Sequence, residues 1–75
     1  VVILLGEKVC SAVEKKINIK LKRWRGFEYF ATEHNGIWYI PVQHPSYIYI
    51  YKRKEAEKYV EKVAEAIEKI VDDVG

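Results

Sequence analysis

The chain has 75 residues, a length that allows one small domain with a limited core. Hydrophobic residues make up 49% and charged residues 32% of the composition, which is typical of a folded chain and excludes an intrinsically disordered one. No apolar run approaches the roughly 18 residues that a membrane span requires. The chain also carries no secretory signal pattern, so we expect no membrane association and a cytoplasmic location.

The net charge of +2 is unevenly distributed along the chain. Residues 1–54 contain ten Lys or Arg and four Glu, a net charge of +6. Residues 55–75 contain three Lys and seven acidic residues, a net charge of −4. The basic part therefore suits an anionic partner, although solvated surface cations explain the same excess.

A strand and a helix are predicted first. Val1-Val2-Ile3-Leu4-Leu5 is a continuous aliphatic run stopped by Gly6, which is typical of a strand buried on both faces, and we expect it to be central in a sheet. Residues 7–16 then show apolar residues at helical spacing. Cys10 lies on this helix, and a single thiol without nearby ligands predicts a buried apolar side chain, with no disulfide and no metal site.

An antiparallel hairpin is predicted in the middle of the chain. Residues 18–22 alternate in polarity and fit either a strand or an extended loop. Asn35-Gly36 is a strong signal for a type I′ turn, so residues 26–34 should pair with residues 37–43. Pro41 cannot donate to a ladder, so its nitrogen should face no partner or lie at a bulge. We expect the returning strand to lie parallel to residues 1–5.

A tyrosine-rich segment and a long helix complete the chain. Tyr47, Tyr49 and Tyr51 alternate as they would on a strand, and Lys52, Arg53 and Lys54 follow them. From residue 56 onwards, apolar residues recur every three or four positions. The predicted fold class is α/β: a small sheet with a parallel strand pair and an Asn-Gly hairpin, covered by a short N-terminal and a long C-terminal helix.

Three short motifs stand in a characteristic order along the chain: Leu5-Gly6, Arg25-Gly26 and Gln43-His44-Pro45-Ser46. In this order and spacing they resemble the C-terminal half of the uracil-DNA glycosylase superfamily, and they are closest to its thermophilic, iron–sulfur-bearing branch. The resemblance extends along nearly the whole chain. It implies that residues 1–75 are a single domain or the C-terminal half of a larger glycosylase-like domain.

The resemblance implies base excision of uracil from DNA. His44 matches the family's catalytic histidine, which stabilises negative charge on the departing base, a contribution of about 3 kcal/mol or more for a fixed donor in a dry pocket. Ile48 and Tyr49 match the wedge that enters the minor groove and supports the flipped nucleotide. The residues expected to contact uracil-containing DNA are Arg25, Ser46, Ile48, Tyr49, Lys52, Arg53 and Lys54. The basic stretch from Lys20 to Arg25 is expected to contribute to weak, sequence-tolerant binding.

The chain also departs from this family. The motif that positions the attacking water has no counterpart here, so the 75-residue chain alone is expected to be inactive. No cofactor is expected in the chain, because an iron–sulfur cluster would need residues outside it. Ile50 stands where the family often has Arg. Two alternatives stay open: His44 is a structural cap, or the chain is a complete non-catalytic α/β module that binds DNA or a partner protein. If the chain is instead part of a glycosylase, the missing N-terminal half is a further expected partner.

Overall fold

A computed structural model describes residues 1–74. The elements in chain order are β1 (Val2–Leu5), α1 (Glu7–Ile17), β2 (Thr32–His34), β3 (Ile37–Val42), α2 (Pro45–Tyr51) and α3 (Ala56–Val74), with a 3₁₀ turn at Arg53–Glu55 between the last two helices. α1 packs on one face of the sheet and α3 on the other. The predicted α/β class, with its parallel pair, hairpin and two covering helices, is confirmed.

The three strands lie in the order β1-β3-β2, so β3 is the central strand. β1 pairs parallel with β3 from Val2 opposite Tyr39 to Leu5 opposite Val42. The prediction that residues 1–5 form the central strand is therefore wrong. A continuous apolar run marks a strand that needs cover on both faces, but it does not show whether both edges are paired. In β1 only Leu4 is buried, and its neighbours are each more than a third exposed.

The Asn35-Gly36 hairpin forms as predicted, with positive φ at both turn residues. Its ladder is shorter than expected, because β2 pairs with β3 only over residues 32–34 and 37–39. Residues 25–28 instead close a separate tight turn through two backbone hydrogen bonds between Arg25 and Glu28. Pro41 lies beyond the end of the β2 ladder, as its missing N–H requires. Residues 18–24 form no strand, so of the two alternatives for residues 18–22 the extended loop is correct.

The core has two parts, one on each face of the sheet. Leu4, Cys10 and Leu21 form the part beneath α1, and Trp24 packs against it. Cys10 is fully buried, as predicted, and burial raises the pKa of its thiol. The part beneath α3 contains Ile40, Val42 and Ile70.

The tyrosine-rich segment is helical, although Tyr47, Tyr49 and Tyr51 alternate in the sequence as they would on a strand. Pro45 favours a helix start because its fixed φ suits the first helical position and its absent N–H leaves no donor unpaired there. Tyr47 and Tyr51 then lie one turn apart, with ring centroids 5.2 Å from each other. The alternation of tyrosines in the sequence therefore does not indicate a strand here, whereas Pro45 correctly indicates the start of a helix.

Candidate functional site

The carboxyl ends of β1 and β3 meet at one edge of the sheet because the two strands are parallel. The N–H of Gly6 donates to the carbonyl of Val42 over 2.8 Å and joins the two ends. α1 and α2 both begin there. In sheets of this kind, ligands bind beyond the carboxyl ends of parallel strands, and His44 lies at that position.

Gly6 allows the chain to pass close to His44. Its φ of +93° with ψ of 165° is a conformation that only glycine adopts readily. A Cβ at this position would lie 3.2 Å from the Cβ of His44. The Leu5-Gly6 motif therefore has a steric function: it leaves room for the His44 side chain at the strand ends.

The ring of His44 is held by Ser46 at the start of α2. Its Nδ1 accepts the backbone N–H of Ser46 over 3.1 Å and lies 2.7 Å from the Ser46 hydroxyl oxygen. Because a backbone N–H can only donate, Nδ1 is an acceptor and the neutral ring carries its proton on Nε2. His44 is thus an exposed residue that caps the helix with one ring nitrogen and keeps the other as a hydrogen-bond donor.

Gln43 is a buried polar residue whose importance the sequence did not show. The Tyr29 hydroxyl donates to its Oε1 over 2.5 Å, and its Nε2 donates to the carbonyl of Gly26 over 2.8 Å. The Tyr59 hydroxyl of α3 donates to its backbone carbonyl over 2.8 Å. Burial and the neighbouring Tyr59 raise the pKa of Tyr29 to about 12. The only available signal was an amide residue directly after a buried strand.

This network places the Arg25-Gly26 turn beside the start of α2. Between the turn and the helix lies a cavity of about 220 Å³, lined in part by Trp24, Phe27, Tyr47 and Lys52. Arg25 is exposed on the turn. Of the residues predicted to contact DNA, Arg25 and those on or after α2 are therefore brought to one side of the molecule.

We define the α2 surface as the exposed aromatic, aliphatic and cationic side chains of this helix and the residues after it: Tyr47, Tyr49, Ile50, Tyr51, Lys52, Arg53 and Lys54. The guanidinium of Arg53 lies over the Tyr49 ring, 5.5 Å from its centroid. Exposed aromatic rings beside cations can stack on bases and pair with phosphates.

The two predicted wedge residues are placed differently. Ile48 is only 2% exposed and faces the cavity and core, so the wedge role predicted for it does not fit this position. Tyr49 is 65% exposed and projects from α2. Ile50, at the position where the resembled family often has Arg, is 70% exposed. Successive side chains of a helix point about 100° apart, so Ile48 and Tyr49 lie on different faces of α2. A loop or a strand would not give the side chains these directions.

The basic stretch at residues 20–25 does not form one surface. Arg23 binds the carboxylates of Glu7 and Glu14, each over 2.9 Å, and ties the loop to α1. The hydrogen bond from Arg23 lowers the pKa of Glu14 from 4.5 to about 2. Lys22 lies over the Phe30 ring at 4.0 Å. Arg25 alone of these cations lies on the turn that packs beside α2.

Within residues 1–74, no group of three or more His, Cys, Asp or Glu side chains is arranged to hold a metal ion. In the same part of the chain, none of the helices has the length and apolar composition needed to cross a bilayer. Comparisons with protein-family models, curated proteins and solved structures find no match to this chain.

Proposed function

We propose that the chain is part of a uracil-DNA glycosylase-like repair protein that acts in the cytoplasm and excises uracil from DNA. In this proposal His44 donates a hydrogen bond to the negative charge that develops on the departing base. The α2 surface and Arg25 bind the DNA backbone, with Ser46 at the start of the helix. Uracil-containing DNA is the proposed partner.

The observation that carries the proposal is the geometry of His44. Its Nδ1 is occupied by the N–H of Ser46, so the exposed Nε2–H is left as a donor of fixed direction. A donor that is held in place before the reaction stabilises developing charge without reorganisation. The position beyond the carboxyl ends of two parallel strands supports the same reading.

The α2 surface supports the DNA-binding part of the proposal. Its three consecutive cations suit a phosphate backbone, and its exposed rings suit unstacked bases. Because Ile48 is buried, we assign the wedge to Tyr49, with Ile50 beside it. Apolar side chains inserted between base steps are a common means of unstacking a duplex.

Catalysis also needs a group that positions water, and none of the 75 residues matches the motif that does this in the resembled family. The proposal therefore requires that motif from another segment. The alternative is a non-catalytic α/β module that binds DNA or a partner protein. The absent motif favours this alternative, and DNA binding followed by an excision assay distinguishes the two.

We expect the chain to bind a uracil-containing duplex weakly and with steep salt dependence. Replacing Lys52, Arg53 and Lys54 together by Ala should weaken binding. It should also reduce the magnitude of the slope of log affinity against log salt by about 3, because three fewer phosphates are neutralised and about one counterion is released per neutralised phosphate. Fluorescence anisotropy with a labelled duplex at several salt concentrations measures both quantities.

A matched control removes three cations elsewhere: Lys15, Lys16 and Lys20 near the C-terminal end of α1. α1 is about 16 Å long, so this cluster lies far from the strand ends where α2 begins. The control variant should bind nearly as well as the parent chain. Equal losses in the two variants would show general charge attraction, and no binding at low salt would leave the partner-protein alternative.

A further inference from the structure

β1 is an unprotected edge strand. Among residues 1–74 it has a neighbour on one side only, and its sequence Val-Ile-Leu-Leu contains no charge and no proline. Natural edge strands are usually protected from further pairing by charges, proline, bulges or a covering segment. The opposite edge follows this rule, because β2 is polar and exposes Glu33. The contrast indicates that β1 is open to another strand.

The open side of β1 presents the backbone groups of Ile3 and Leu5. The N–H of Gly6 points to β3, where it bonds Val42. Because successive residues of a strand point their backbone groups to alternate sides, those of Leu4 also face β3 and those of Ile3 and Leu5 face outward. The side chains of Ile3 and Leu5 lie on the α3 face, beside buried Ile40 and Val42 in the parallel register.

α3 extends this apolar surface. Its inward stripe contains the buried Tyr59 and Ile70 and the half-buried Val63. On the β2 side, Ala66 and Lys69 line a cavity with Trp38. The other flank, towards β1, carries Val60, Ala64 and Val71, all of them exposed. Val60 and Val71 are 63% and 54% exposed. We define the β1–α3 surface by Ile3, Leu5, Val60, Ala64 and Val71.

A row of carboxylates borders the β1–α3 surface. Glu57, Glu61, Glu68 and Asp72 are exposed and share one line along α3, directly beyond the apolar flank. A second copy that paired β1 with β1 around a two-fold axis would bring two such rows together on the same face of the joined sheet. Like charges at an interface are unfavourable, so charge argues against a second copy.

We propose that the β1–α3 surface docks a different polypeptide, which adds an apolar strand to β1 and carries Lys or Arg where it passes the carboxylate row. Strand addition supplies main-chain hydrogen bonds, and side chains on alternate residues supply specificity. The cations provide the charge complementarity that the row of carboxylates requires. This inference uses a different face of the molecule from the α2 surface, and it requires that the segment proposed to supply the water-positioning motif leave the edge of β1 open.

Two labelled peptides test the proposal. Both alternate valine and threonine; one carries lysine at its ends and the other glutamate. The lysine peptide should bind the chain about tenfold more tightly than the glutamate peptide, as several exposed charge pairs together can provide. Replacing Glu57, Glu61 and Glu68 by Gln should remove this preference, whereas Lys58, Lys62 and Lys69 changed to Gln should preserve it.

Ile3→Pro should abolish binding of the lysine peptide, because it removes an outward N–H without breaking a bond to β3. Circular dichroism checks that this variant folds, and Ile3→Lys provides a second test with milder backbone effects. Equal affinity for both peptides, or binding of neither, would overturn the proposal. So would a dimer of the parent chain in sedimentation experiments that Ile3→Lys converts to a monomer.

Discussion

His44 combines two tasks at the residue scale, since one ring nitrogen caps α2 and the other is left to donate. His44→Ala removes both, and loss of the cap should lower the free energy of unfolding by about 1 kcal/mol. His44→Asn keeps an acceptor for the Ser46 N–H and should unfold close to the parent in urea. The pair of variants separates the structural role of the residue from any chemical one.

The chemical role needs an enzyme that includes the water-positioning motif. There, both His44 variants should lower the single-turnover rate of uracil excision by about 10²–10³-fold, because a donor to developing charge acts in the transition state. Their affinity for DNA should be nearly unchanged. An Asn variant as fast as its parent would assign His44 to capping alone. The isolated 75-residue chain should release no uracil.

At the scale of elements, α2 has a buried face and an exposed face, and we propose that the exposed face contacts DNA. Ile48→Ala should lower the free energy of unfolding by about 2–5 kcal/mol because it empties a core position. Tyr49→Ala should change stability little, since its ring is exposed. For DNA affinity the order should be reversed: Tyr49→Ala should weaken binding more than Ile48→Ala, when the affinity is calculated for the folded fraction of each protein. Urea unfolding and duplex titration on the same two variants measure both effects, and a stable Ile48→Ala variant with weakened DNA binding would restore the original wedge assignment.

The elements also show which information the sequence carries. The hairpin and the two longer helices were predictable, because Asn35-Gly36 and the apolar spacing are local signals. The central position of β3 was not, since strand order depends on contacts between distant segments. The candidate site shows the same division. The position of His44 at the end of a strand followed from the local sequence, whereas the three hydrogen bonds of Gln43 join residues 14 to 17 positions apart.

At the scale of the whole molecule, one cationic and one acidic surface lie apart. The cations after α2 lie on one side, and α3 carries the row formed by Glu57, Glu61, Glu68 and Asp72 on its β1 flank. A nucleic acid that approaches the α2 surface would be repelled by that row, so the charge distribution would orient the molecule on DNA. The same row would select a cationic partner at β1. The two proposed contacts therefore use different faces and need not compete.

The stability of the whole molecule should depend on Glu14 in acid. Arg23 holds the pKa of this carboxyl at about 2, below its ordinary value of 4.5, so the folded state favours the ionised form. A depressed folded-state pKa gives stability that is present above pH 4.5 and is lost as the pH falls towards 2. Glu14→Gln removes the charge and keeps an acceptor for the backbone N–H of Leu21. Urea unfolding between pH 7 and pH 2 should therefore show the parent more stable than the variant at neutral pH, with the difference shrinking below pH 4.5.

Glu33→Gln, on the exposed edge of β2, removes the same charge away from Arg23 and serves as the control. A constant difference between parent and Glu14→Gln across this range would mean that the Arg23 contact does not form in solution.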